Sequence, residues 1–120
     1  MDLVDLHRYQ AGVRLGTGAD YEVRAAVDLE TGNQVVLKRP VPQMIKLRQH
    51  LATEARTDRT LQVLEQIGDA TDNLVPIVGY TERAIHDTFY GDSLGQEYTV
   101  IVEERAKGIP LMVGDMRARI

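Results

Sequence analysis

Two short segments of this 120-residue chain carry residue types that could do chemistry together. They are Leu15-Gly16-Thr17-Gly18 and Val35-Val36-Leu37-Lys38. Glycines lack a Cβ, so a turn built from them can close on an anion and present its N–H groups to phosphate oxygens. A lysine ammonium held below such a turn is a compact positive charge suited to the same oxygens. Each signal alone is common. A Gly-x-Gly is most often a plain hairpin turn, and a single lysine in an apolar strand most often carries its charge out to solvent. Taken together they point to a phosphate-bearing ligand.

Other chemistries find little support. The chain has no cysteine, which excludes disulfides and thiolate metal sites. His7 and His50 have no partners at metal-ligand spacing, so no metal site is expected. His86-Asp87 stands at a strand–turn junction with no asparagine in register and is given no catalytic role. A net charge of −4 argues against a nucleic-acid partner. No run approaches the ~18 apolar residues of a membrane span, and Met1-Asp2-Leu3-Val4-Asp5 does not open like a signal peptide. The expected setting is the cytoplasm, with no membrane contact in this segment.

The elements that must position the glycines and the lysine follow from periodicity. Tyr9 to Leu15 reads as a short strand running into the glycine turn. From Tyr21 the chain alternates, with Tyr21, Val23, Ala25 and Val27 on one face and Glu22, Arg24 and Asp28 on the other, as in a half-buried strand. Glu30-Thr31-Gly32-Asn33 is a turn, followed by a strand from Gln34 to Arg39, so the two strands form an antiparallel hairpin. Alternation places Lys38 on the same face as Val36, beneath the glycine turn. Pro40 and Pro42 stop the strand. Gln43 to Ile67 lacks Gly and Pro, and it is rich in good helix formers. Leu47, Leu51, Ala55, Leu61 and Leu64 give it an apolar stripe, and Gly68 is its expected stop. Leu74 to His86 and Gln96 to Glu104 read as two further strands around a polar connection, Asp87 to Gly95. The expected fold is α+β: a five-stranded antiparallel sheet with one long helix. Residues 1–110 form one domain. Lys107 to Pro110 is a linker, and 111–120 is a following segment that can begin another helix.

Gly16, Gly18, Val23, Ala26 and Val35-Val36-Leu37-Lys38 together resemble the Gly-rich loop, valine, alanine and V-A-I-K strand of the protein kinase family. Asn73 to Tyr80 is similar to that family's fourth strand, and Tyr98 to Gly108 to its fifth strand and hinge. The resemblance covers about Tyr9 to Leu111 and reaches only the first, ATP-binding lobe. It implies that Gly16, Gly18 and Lys38 hold ATP phosphates and that Glu54 pairs with Lys38, with Glu65 and Asp58 as substitutes. Leu15, Val23 and Val36 would roof the adenine, Val102 would be the gatekeeper, and backbone groups of Glu103 and Arg105 would bind the ring. The sequence departs from the family where Tyr21 replaces the third glycine, Asp20 the aromatic before it, and Val36 the alanine above the adenine.

H-R-D-x-x-x-x-N, D-F-G and A-P-E do not occur in the chain. The implied function is therefore the ATP-binding lobe of a Ser/Thr kinase-like phosphotransferase without its second lobe. That lobe, from the same parent protein, would supply the base and the Mg ligands. As a fragment the chain is expected to transfer no phosphate and to bind nucleotide weakly. The alternative is a pseudokinase-like interaction module with little or no nucleotide binding. With Val36, Val102 and the apolar tail Ile109 to Met116 uncovered, a homodimer is expected.

Overall fold

The computed structural model describes residues 2–67 and 77–105. Five strands form the antiparallel part of one sheet: β2 (Tyr9–Thr17), β3 (Tyr21–Asp28), β4 (Gln34–Pro40), β5 (Ile77–Tyr80) and β8 (Ile101–Glu104). A two-residue β1 (Asp2–Leu3) adds to the β5 edge in parallel, so the order across the sheet is β1-β5-β8-β4-β3-β2. The fold is α+β, as the patterning predicts.

The single helix expected from Gln43 to Ile67 is in fact broken. Proline opens α1 (Pro42–Lys46), and α2 begins only at Leu51 and runs to Ile67. Between them Arg48 has a positive φ of 57° and His50 is buried. The imidazole Nε2 of His50 lies 2.9 Å from the Glu97 carbonyl, and this contact pulls the chain inward. No Gly or Pro marks the break, so local sequence carries no signal for it. Gly68, the expected helix stop, lies outside the described residues, as do Leu74 to Pro76 of the fourth strand.

The expected strand to His86 ends at Tyr80. Buried Thr81 explains the exit: its hydroxyl accepts from the Val100 N–H at 2.9 Å and donates to the Glu82 carbonyl at 2.9 Å. The chain then forms a small separate hairpin, β6 (Ala84–Ile85) with β7 (Glu97–Tyr98). The connection read as a polar loop holds a one-turn helix, α3 (Asp87–Tyr90), which ends at Gly91 in the left-handed region that glycine tolerates (φ 71°).

The core lies on the face of the sheet opposite Lys38. Ala26, Val35, Leu37 and Val102 pack there against Leu6, Tyr9, Ile45, Tyr98 and Val100, with Phe89, Tyr90 and Leu94 alongside. This inverts the burial expected for β3. Glu22 and Asp28 are buried, whereas Val27 is 40 % exposed. The inversion is possible because each buried carboxylate meets a guanidinium. Asp28 takes a bidentate pair from Arg8 at 2.8 to 3.1 Å, and Glu22 accepts from Arg39 Nε at 3.3 Å.

Candidate functional site

Cross-strand pairing sets the site. Gly16 is the partner of Val23, Val23 of Lys38, Lys38 of Ile101, and Ile101 of Tyr80. Directly opposed residues in antiparallel strands share a face, so this is one transverse row on the side away from the core. The next row on that face holds Ala25, Val36, Glu103 and Ile77. The front face thus brings Gly16, Val23, Val36 and Lys38 together, as alternation predicts. Leu15 sits in the irregular register between Arg14 and Gly16 and is 37 % exposed.

The glycine turn closes with the Gly18 N–H donating to the Tyr21 carbonyl at 2.8 Å. A Cβ at Gly16 would meet nothing within 4 Å, and one at Gly18 only the Tyr21 oxygen at 3.9 Å. Neither glycine has a positive φ. The folded chain therefore makes no steric demand for glycine at these positions.

Asp20 and Tyr21, the residues that depart from the kinase pattern, tie the turn to α2. Asp20 pairs with Arg56 at 2.9 Å, and the Tyr21 hydroxyl shares a 2.7 Å hydrogen bond with Thr57. The Asp20 charge is thus met by a cation, and the Tyr21 ring lies 5.2 Å from the Lys38 ammonium.

Lys38 and Glu54 do not pair. The Lys38 ammonium lies 3.3 Å from Glu103 Oε2. Glu54 is buried on α2, where its Oε1 accepts from Arg83 Nε at 3.0 Å and from the Thr99 N–H at 2.8 Å, while its Oε2 is buried without a partner. Burial pushes the Glu54 carboxyl above the ordinary range, against the opposing pull of Thr99 and Arg83. Asp58, a suggested substitute, also binds Arg83, at 2.8 Å, and Glu65 is exposed.

Three further expectations are corrected. Val102 is fully buried opposite Leu37 in the core, so it cannot be a gatekeeper beside Lys38, nor can it contribute to an exposed dimer face. The side chain on β8 that shares the Lys38 face is Glu103. Glu103 stands mid-sheet, with Val36 on one side and Ile77 on the other, so both of its backbone edges face neighbouring strands. The Arg105 N–H donates to the Gln34 carbonyl at 3.2 Å, so it too is occupied. Beside Arg105 on this face, Gln10, Ala25, Val27 and Gln34 border a shallow cavity of about 230 Å³, smaller than a typical ligand pocket. The tail from Lys107 onward lies outside the described residues.

The opposite face holds a cluster that sequence reasoning missed. Arg39, with 3 % of its side chain exposed, donates to Glu22, to Asp92 at 2.6 Å and to the Tyr98 hydroxyl at 3.0 Å, and its guanidinium lies 3.7 Å from the Tyr90 ring centre. Burial works against the charge, but Asp92, Tyr98 and Glu22 outweigh it and hold the Arg39 pKa above its ordinary value. Burial also pushes the Tyr98 hydroxyl up to about 12. The one legible signal was Tyr90 and Asp92 in a connection read as polar. Neither a protein-family model nor a curated protein sequence matches this chain.

Proposed function

We propose that this domain binds the triphosphate of ATP over its front face, as the nucleotide-binding lobe of a kinase-like phosphotransferase. The observation that carries this reading is the transverse row Gly16–Val23–Lys38 on neighbouring strands. Open space around Gly16 and Gly18 lets phosphate oxygens approach the backbone of the turn, whose Gly18 N–H is held by the Tyr21 carbonyl, and Lys38 supplies the charge. Val23, Ala25 and Val36 offer an apolar surface for the base. α2, bound to the turn through Asp20 and Tyr21, holds the turn over the lysine strand. One sheet face buries only one side of a nucleotide, so binding by this lobe alone is weak, and phosphoryl transfer requires a base and metal ligands from a second lobe.

A second reading, an interaction module with little nucleotide binding, is favoured by one observation: Lys38 is already engaged by Glu103. Nuclear magnetic resonance separates the two. Titrated ATP should move the backbone amides of Gly16, Gly18, Val23, Val36 and Lys38, and Lys38→Met should abolish those shifts. Absence of any shift at high ATP concentration, or shifts confined to β6 and β7, favours the module.

A further inference from the structure

Ile101 and Glu103 follow one another on the front face of β8, with about 7 Å between alternate residues of a strand. Lys38 is opposite Ile101. Of the acids near this strand, Lys38 takes Glu103. Glu54 is held elsewhere, its Oε1 shared by Arg83 and the Thr99 N–H. Glu103 makes no other salt bridge among the described residues, and its side chain is 14 % exposed, open enough to be approached.

We infer that the Glu103 carboxylate is a built-in competitor for the Lys38 ammonium, which an entering phosphate must displace, so that Glu103 sets the affinity of this face for phosphate anions. The effect has two parts. The incoming anion loses part of the lysine's charge to Glu103, and it also meets a like charge in the next row of the sheet. The inference rests on the phosphate site proposed above, but not on its adenine end.

The test uses inorganic tripolyphosphate as the probe, with ATP titrated separately, against the 120-residue chain by calorimetry at low ionic strength. Glu103→Gln keeps the side chain's size and removes its charge. Tripolyphosphate should bind this variant about five- to tenfold more tightly than the unaltered chain, the range of a partly exposed ion pair plus a removed like charge. Adding Lys38→Met should cancel the gain. A measurement on the unaltered chain needs no variant: the carboxyl carbon resonance of Glu103 should shift as tripolyphosphate saturates the site, while that of Glu54 stays. Unchanged or weaker binding by a folded Glu103→Gln chain overturns the inference, as does a Glu103 resonance that the probe leaves unmoved. A gain for tripolyphosphate with ATP binding no more tightly than the probe upholds the inference and removes the adenine part of the proposed function.

Discussion

Lys38 and Arg39 are neighbours in β4, yet they stand on opposite faces of the sheet in opposite circumstances. Arg39 is almost wholly buried, bonded to two carboxylates and a tyrosine hydroxyl and stacked on an aromatic ring. Lys38 has one carboxylate, one distant ring and a third of its side chain in solvent. Removing a partner from a buried charge is costly, whereas a half-exposed charge can exchange partners at little cost. The back face is therefore committed to stability, and the charge on the front face is free to change partners.

The largest expected effect breaks the committed face. Arg39→Met should destabilise the chain by about 3 kcal/mol, because it takes the cation from Asp92 and leaves buried Glu22 with only the longer Arg24 contact at 3.6 Å. Urea unfolding measures this, and a loss under about 1 kcal/mol would show that the back-face cluster is not a closed network.

Two carboxylates sharpen the contrast through opposite pH signatures. Hydrogen bonds from Arg8 hold the Asp28 carboxyl down at about 2, below its ordinary 3.8. A depressed pKa contributes stability present above the unfolded value and lost as pH falls through the folded one. Asp28→Asn should therefore be less stable than the unaltered chain at neutral pH, and the gap should close as pH falls from 3.8 toward 2. Glu54, raised by burial from 4.5, has the reverse sign: its contribution is present at low pH and is lost as pH rises through the folded value. Glu54→Gln should gain on the unaltered chain as pH rises from about 4.5, the ordinary carboxyl value of this residue. Parallel stability curves for both variants would erase the distinction.

The smallest effect should fall on the open face. Lys38→Met should change stability by less than about 1 kcal/mol, since its only salt bridge among the described residues is partly exposed. A larger loss in urea unfolding would mean that the front face also serves mainly to hold the fold.

Strand existence and alternation were set by local chemistry. β-branched runs, the Gly32-Asn33 turn, and Pro40 and Pro42 at the end of β4 mark hairpin and strand ends wherever the chain folds, so the shared face of Val36 and Lys38 was legible in one dimension, whereas β2 runs on through Gly16 to Thr17. Four matters depended on residues far apart in the chain. His50 meets Glu97 and breaks the helix; Arg83 meets Glu54 and takes it from Lys38; Asp92 and Tyr98 meet Arg39, which draws Glu22 of β3 inward, while Arg8 does the same for Asp28; Glu103 meets Lys38. Alternation divides a strand into two faces but does not say which face is buried, nor which of several acids a lysine will choose. Those choices depend on which distant partners can be desolvated together, and only the tertiary structure brings those partners within hydrogen-bond range.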